Sequence, residues 1–222
     1  MITIGPRAAT VPAAAELAAL AELPVATLSD VLGPSHVPML DIAPLRAGWK
    51  IAGPALTVQL PPGDNLGMHV AVGEVRRGEV LLVQQGTASR GAPVGEIMAL
   101  AAQAQGAAGI VLEGPVRDRA TLGLGGLPVF ASGRCAQACT KTGPAWINVP
   151  ITVGGVWVRP GDIVVADDDG VVIVPLARVA EAIAAAQARI ARERSRIAAI
   201  GQGTVSPPWL AEAVQVAGLL RI

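Results

Sequence analysis

A strand, a helix and a second strand follow one another near the middle of the chain, and this order constrains the fold more than any other feature. Residues 79–83 form an apolar, strand-like run, and residues 91–95 form a loop with glycine at both ends. An alanine-rich helical run covers 96–105, and residues 109–112 form the next apolar run. This order predicts a crossover in which the two strands run parallel and helices cover the sheet. We therefore expect an α/β fold.

The flanking segments predict the rest of the architecture. Helices are expected at 12–23, 27–32, 66–75 and 177–200, and strands at 55–60, 151–153, 156–158, 163–166 and 171–174. The last four runs are separated by glycine or aspartate turns, which is typical of hairpins. We expect one domain over residues 1–222, with a central sheet, helices and a second β layer.

The composition limits both the core and the partners of this domain. A chain of this length buries about 70% of its surface on folding. Because 52% of the residues are apolar but only 2% are aromatic, aliphatic side chains must form that core. Aromatic stacking platforms for single-stranded nucleic acid are therefore not expected. Seventeen basic residues balance seventeen acidic ones, so the chain lacks the charge typical of nucleic-acid or membrane binders. Small molecules or proteins are the expected partners.

Lysine is scarce, because fifteen of the seventeen basic residues are arginine. Schiff-base chemistry needs a lysine, so it has only Lys50 and Lys141 as candidates. Both are expected to be ordinary solvated lysines. Neither a secretory signal nor a run of about 18 apolar residues is present, which favours a cytoplasmic protein.

The histidines and cysteines give little support for a site. His69 lies in an apolar helical run and is expected to pack in the core, whereas His36 is expected in a loop. Cys135 and Cys139 lack a zinc-site spacing and are expected to be small core residues.

The strongest candidate site lies between Gly95 and Asp118. The free N–H groups at the start of the helix that Glu96 opens can bind a carboxylate or an oxyanion. Arg117 can bind a carboxylate with two parallel hydrogen bonds, and Asp118 can offer oxygens to a hard divalent ion. Both loops leave the carboxyl ends of parallel strands, where open α/β sheets bind ligands. A surface ion pair and a helix-stabilising acid are the alternatives.

Seven segments, taken in this order, resemble the RraA-like family, which includes 4-hydroxy-4-methyl-2-oxoglutarate and 4-carboxy-4-hydroxy-2-oxoadipate aldolases. They are residues 26–32, 53–55, 64–65, 95–96, 109–118, 128–131 and a last segment made of 160–162 and 167–172. The resemblance runs from about residue 25 to 203 and leaves 204–222 as a C-terminal tail. It implies a swivelling β/β/α fold.

The resemblance also implies a class II pyruvate aldolase that uses Mg²⁺ or Mn²⁺, which agrees with the scarcity of lysine. Asp118 would be the direct metal ligand, and Arg117 would bind the pyruvyl group. Amides of Gly95, Glu96, Ile97 and Met98 would hold its carboxylate, and Glu96 would hold waters of the metal.

Family members form trimers or hexamers with sites between subunits. Glu193 is, by position only, the best match for an acid from a neighbouring subunit. Oxaloacetate decarboxylation is an expected further activity.

The family also contains protein-binding regulators of ribonuclease E, which are the alternative function. Retention of Arg117 and Asp118 favours catalysis over that alternative. Methylation of a quinone precursor, also attached to this family, lacks the support of a glycine-rich cofactor loop. Two departures from the family pattern, at 84–85 and at Glu113, are expected to alter the rim of the pocket.

Overall fold

The computed structural model describes residues 1–8 and 10–218. They divide, between Ala186 and Gln187, into a larger and a smaller compact unit. The strands are β1 (Ile2–Ile4), β2 (Ala43–Pro44), β3 (Ile51–Gln59), β4 (Val80–Gln84), β5 (Gly109–Val116), β6 (Val129–Arg134), β7 (Ala145–Ile147), β8 (Ile151–Val153), β9 (Val156–Val158), β10 (Ile163–Asp167) and β11 (Gly170–Val174). The helices are α1 (Ala14–Glu22), α2 (Val25–Leu32), α3 (Leu66–Glu74), α4 (Glu96–Gln105), α5 (Arg119–Leu124), α6 (Val179–Gly201) and α7 (Leu210–Ala217).

The central sheet follows the order β1–β7–β3–β4–β5–β6–β2. Strands β3, β4, β5 and β6 run parallel to one another, whereas β7 and β2 flank them in antiparallel pairing. Two crossovers, through α3 and α4, join β3, β4 and β5. Helix α4 covers the predicted residues and ends at Gly106, whose left-handed backbone (φ +90°) stops it. The predicted α/β fold is therefore confirmed.

Strand β3 connects the central sheet to a second β layer. Its first half pairs with β10 in antiparallel register, from Ile51 opposite Ala166 to Pro54 opposite Ile163. Its second half, from Ala55 to Gln59, pairs with β4 instead. Strand β11 pairs with β10, and the β8–β9 hairpin forms a separate small sheet. The second β layer expected from the short hairpin strands is thus present.

Strand β5 is longer than the sequence predicts. The prediction ends it at Leu112, but the strand continues to Val116, with a shift of register between Leu112 and Pro115. This bulge accommodates Pro115, which lacks an N–H, and Gly114, whose φ is +151°. The extension carries Arg117 and Asp118 beyond the edge of the sheet.

The core of the larger unit is aliphatic, as the composition predicts. Valine, leucine, isoleucine and alanine side chains from β3, β4, β5, β10 and β11 are almost fully buried. Phe130, the one phenylalanine of the chain, is also fully buried. Of the tryptophans, Trp49 is buried, whereas Trp157 and Trp209 are exposed.

The smaller unit contains the second half of α6 and the helix α7. Arg196 donates to the backbone carbonyl of Thr204, which follows the end of α6. In the described residues of both units, no helix is long and apolar enough to cross a membrane.

Candidate active site

Arg117 and Asp118 lie at the carboxyl edge of the central sheet, directly after β5. The Arg117 N–H donates to the Val94 carbonyl at 3.0 Å, and an isolated bridge joins Val94 to Val116. The loop before α4 is therefore held against the end of β5. Asp118 has a left-handed backbone (φ +53°), which turns the chain into α5.

The Asp118 carboxylate brings these two elements together. Its Oδ2 accepts a hydrogen bond from the Glu96 N–H at 3.2 Å and lies 3.6 Å from Arg117 Nε. The Arg117 and Asp118 side chains are 40% and 43% exposed, so a small ligand can reach both. A guanidinium, a carboxylate and the first amide of a helix thus meet at one accessible point.

Gly95 makes this approach possible. A Cβ at this position would lie 2.5 Å from Asp118 Oδ2 and 3.0 Å from Arg117 Nε, so these side chains would have to move away from it. Its backbone (φ −141°, ψ −170°) is extended and open to any residue. Glycine here leaves space for the observed positions of these side chains, and its conformational freedom is not needed.

A cavity of about 270 Å³ opens beside Arg117. Gly95, Ile97 and Met98 line it from the start of α4. Asn65, His69, Cys139 and Lys141 line other parts of its wall. Among the described residues that line this cavity, none is acidic, so its charged groups are the two cations Arg117 and Lys141.

The two predicted acids do not line this cavity. Asp118 lines a neighbouring hollow of about 480 Å³ together with Arg117, Arg119 and Arg134. Glu96 is exposed and lines a small groove beside Thr121. Arg117 lines both the cavity and the hollow. It therefore connects the start of α4, on the cavity side, with Asp118, on the side of the hollow.

An irregular segment, residues 135–142, closes the edge of the sheet above these loops; we call it the edge segment. Its Cys135 N–H donates to the Val116 carbonyl at 3.0 Å, and its Gln137 carbonyl accepts from Ala92 N–H at 3.0 Å. Further on, its Thr140 carbonyl accepts from Asn65 N–H at 3.0 Å. The segment therefore crosses the end of β5, the loop before α4 and the loop before α3 in turn.

Asp64 anchors the far end of the edge segment. This carboxylate is 3% exposed. Its Oδ2 accepts from the Thr140 hydroxyl at 2.8 Å and from the Thr142 N–H at 2.6 Å, while its Oδ1 accepts from Leu66 N–H at 2.9 Å. Burial alone raises the pKa of the carboxyl, but the hydrogen bonds from Thr142, Leu66 and Thr140 outweigh it and lower the pKa to about 2.

Three residue-level predictions are wrong. His69 is exposed on the cavity side of α3 rather than packed in the core, because Met68, Ala71 and Val72 form the buried face of that helix. Cys135 and Cys139 are only half-buried, and burial raises the pKa of the Cys139 thiol. Neither cysteine is a core residue.

Two departures from the family pattern lie behind the cavity wall rather than on its rim. Gln85 is buried, and its amide donates to the Asp64 carbonyl at 2.9 Å, so it supports the loop that carries Asp64. The Glu113 carboxylate accepts from Gly154 N–H at 2.9 Å in the β8–β9 turn. Gln84 pairs with Glu113 across β4 and β5.

Glu193 belongs to the smaller unit. Its carboxylate lies 2.9 Å from Arg189 Nε, one helical turn earlier in α6. A role in a neighbouring subunit's site stays a prediction.

Comparison with protein families identifies the family to which this chain belongs. The sequence profile described as RraA-like, Aldolase/RraA, matches residues 25–173, which include β3 to β6, the edge segment and both site loops. This chain belongs to the RraA-like family.

Similar proteins carry different functional names. A Halalkalibacterium halodurans protein provisionally named 4-hydroxy-4-methyl-2-oxoglutarate aldolase is 36% identical over 83% of this chain and 88% of its own. An uncharacterised Pseudomonas syringae protein superimposes with a TM-score of 0.79 at 30% identity, covering 95% of this chain and 98% of that one. Streptomyces coelicolor RraAS2, described as an unusual member of the ribonuclease ES inhibitor family, gives 0.72 at 30% identity over 84% and 98%.

The donor set at this RraA-like site suits a magnesium-type ion held by few protein ligands. No group of three histidine, cysteine or acidic side chains within residues 1–8 and 10–218 could enclose a metal. Mg²⁺ is commonly held by one or two carboxylates together with water and substrate oxygens. The Asp118 carboxylate, kept accessible by the missing side chain of Gly95, fits that mode of binding.

Proposed function

We propose that this RraA-like protein is a divalent-metal-dependent aldolase that cleaves a 4-hydroxy-2-oxo acid to pyruvate and a second oxo acid. The observation that carries the proposal is the meeting of Asp118 with Arg117 and the first amide of α4. The name of the H. halodurans relative supports the same activity. Oxaloacetate decarboxylation, which leaves the same enolate, is part of the proposal.

In this proposal, different residues bind the two ends of the 2-oxo acid group and the metal ion. The Arg117 guanidinium lies where it can bind the 2-oxo end of the substrate with parallel hydrogen bonds. The free amides at the start of α4, near Ile97 and Met98, can hold the adjacent carboxylate. Asp118 is the residue that would hold Mg²⁺ or Mn²⁺.

Cleavage requires the 4-hydroxyl to lose its proton and the bond between C3 and C4 to break. The electron pair of that bond stays on pyruvate enolate, which takes a proton at C3 to give pyruvate, while C4 becomes a carbonyl. A divalent ion supplies the Lewis acid that lowers the energy of the enolate. Arg117 adds a fixed positive charge beside it. Glu96, exposed at the helix start, or Glu193 of a neighbouring subunit would accept the hydroxyl proton through water and return it to C3. We propose the same assembly as for the family, a trimer or hexamer to which Glu193 of a neighbouring subunit adds a further acid.

Removal of metal is the direct test. Treatment with EDTA is expected to abolish pyruvate release from 4-hydroxy-4-methyl-2-oxoglutarate, because the enolate then loses its Lewis acid. Adding Mg²⁺ or Mn²⁺ in excess should restore it, as followed by a coupled assay for pyruvate. Full turnover in EDTA would rule out a class II mechanism.

Replacing Gly95 with alanine is expected to lower the rate of pyruvate release at least about tenfold, since a displacement of about 1 Å in a site costs that much or more. The new methyl group would occupy the space of Asp118 Oδ2 and Arg117 Nε. Thermal unfolding should change little, because the backbone at this position is extended. Gly73, which has open space around it, provides the matched control G73A. Equal activity of G95A and wild type would contradict the close approach of Asp118.

Binding to ribonuclease E is the second candidate function, which the likeness to S. coelicolor RraAS2 favours. Capture of this protein by a purified ribonuclease E scaffold, with no pyruvate release in the presence of Mg²⁺ or Mn²⁺, would establish that function in place of the aldolase.

A further inference from the structure

A histidine lies on the wall of the cavity beside Arg117, and the proposed mechanism gives it no role. His69 is exposed on this wall and is one of the two histidines in the chain. Among the described residues, its imidazole ring has no hydrogen-bond partner and no ion pair. Both ring nitrogens are therefore available to a ligand in the cavity.

Close packing on the opposite face of α3 fixes the position of His69. Met68 and Ala71 on that face are fully buried. A side chain on Gly67 would collide with Ala145 in β7, so the helix lies directly against this strand. The helix cannot turn or move away without losing this packing, and His69 stays on the cavity side.

Hydrogen bonds also fix the start of α3. Asp64 Oδ1 accepts from the Leu66 N–H at 2.9 Å, and the Asn65 N–H donates to the Thr140 carbonyl at 3.0 Å. Asn65 precedes His69 by about one helical turn and lines the same cavity. Its Oδ1 is buried and has no partner among the described residues, so it offers an acceptor near the imidazole.

Among the described residues that line this cavity, His69 is the one whose side chain can both take up and release a proton near neutral pH. Arg117 and Lys141 are cations and have no lone pair that could accept a proton. Burial raises the pKa of the Cys139 thiol, which therefore keeps its proton. The other residues of the wall are apolar, apart from the amide of Asn65.

The two acids of the proposed mechanism are placed differently from His69. Glu96 lines a small groove instead of this cavity, and Glu193 belongs to the smaller unit. The enolate would be bound in the cavity itself, by Arg117 and the amides at the start of α4. A group on the cavity wall is therefore the more direct source of the proton that C3 receives.

We propose that His69 is the catalytic residue that donates a proton to C3 of pyruvate enolate. The inference rests on the proposed aldolase function and deepens it. The N–H bond of the imidazolium breaks, and the electron pair of the enolate forms the new C3–H bond as the 2-oxo group is restored. The neutral imidazole then regains, through water, the proton that the acid took from the 4-hydroxyl, so protons balance over the cycle.

Exchange of the methyl protons of pyruvate in D₂O isolates this step, because it requires proton transfer at C3 but no cleavage of a carbon–carbon bond. With Mg²⁺ present and exchange followed by NMR, H69A is expected to lose about 100-fold or more of the rate, the lower end of what a positioned acid–base residue contributes. Added imidazole should restore part of that rate, because His69 is exposed and its removal leaves space on an open wall. H69Q, which fills that space, should show the loss without the rescue.

His36, the other histidine, provides the matched control. It lies in the short helical turn Pro34–His36, where its Nε2 is 3.0 Å from Arg178 Nη1. The amide oxygen of glutamine can still accept from Arg178, so H36Q should exchange protons as the wild type does. Calorimetry with oxalate, an analogue of the enolate, should show the same affinity for H69A and the wild type in Mg²⁺, because Arg117 is unchanged.

A rate of exchange in H69A equal to that of the wild type would overturn the role of His69. So would an equal loss in H36Q, or a loss in H69A that comes with weaker oxalate binding and that imidazole does not restore.

Pyruvate release by the wild type from 4-hydroxy-4-methyl-2-oxoglutarate is measured beside the exchange. If the wild type exchanges protons but releases no pyruvate from this acid or from oxaloacetate, the aldolase is overturned, while exchange in H69A still decides the role of His69. If the wild type releases pyruvate and H69A matches it in release and exchange, the role of His69 is overturned and the aldolase stands. A wild type that does neither would overturn both.

Discussion

Replacing Asp118 with asparagine is expected to lower kcat/KM for Mg²⁺-dependent pyruvate release by about 1,000-fold, since a metal contributes several kcal/mol of charge stabilisation. Asparagine tolerates the left-handed backbone that residue 118 adopts (φ +53°). Its amide oxygen can still accept the hydrogen bond from Glu96 N–H. The substitution therefore removes the negative charge and leaves the local shape intact.

Two measurements separate a loss of metal from a loss of fold. Titration with Mn²⁺ should show a much weaker metal affinity for D118N than for the wild type, while the two unfold at similar temperatures. Asp169, exposed in the turn between β10 and β11, provides the control D169N, which should behave as the wild type does. A D118N protein that binds Mn²⁺ and turns over normally would show that the metal, if any, lies elsewhere.

The crossover at the centre of the fold is predictable because its signals are local. Glycine begins and ends α4, and the apolar runs on either side have no charged interruption, so the limits of this helix agree with the prediction. The end of β5 is not predictable in the same way. Gly114 and Pro115 indicate a turn by local rules, yet pairing with β6 carries the strand past them through a bulge.

The candidate site likewise contains residues whose positions follow from local signals and one whose position does not. Gly95, Arg117 and Asp118 can be predicted to lie together, because parallel strands joined by a crossover end at one edge of the sheet. Lys141 cannot, because a contact with Asp64, 76 residues before Thr140, determines where it lies. A lysine between two threonines has no local signal that distinguishes it from a solvated one. The exposure of His69 cannot be predicted either, because α3 is apolar on both its buried and its exposed face.

Replacing Asp64 with asparagine is expected to lower the free energy of unfolding at pH 7 by about 2 kcal/mol or more. The pKa of Asp64 is lowered from 3.8 to about 2, and each pKa unit corresponds to roughly 1.4 kcal/mol. An asparagine amide would also direct a donor at N–H and hydroxyl groups that are already donors. Denaturant unfolding of D64N and the wild type at pH 7 measures the difference.

The pH dependence of that difference identifies its cause. Because the pKa is lower in the folded state, the charge of Asp64 stabilises the protein above about pH 4, and this contribution is lost as the pH falls through about 2. The difference in unfolding free energy between D64N and the wild type should therefore be constant from pH 7 to about 5 and shrink below that.

D168N is the control variant, because Asp168 also accepts a hydrogen bond from a backbone N–H, that of Gly48, but is exposed. A buried carboxylate leaves its donors without water when it is removed, so D64N should cost more than D168N. Equal costs, or a gap independent of pH, would mean that packing rather than the charge of Asp64 holds the edge segment. In that case the position of Lys141 would not depend on Asp64.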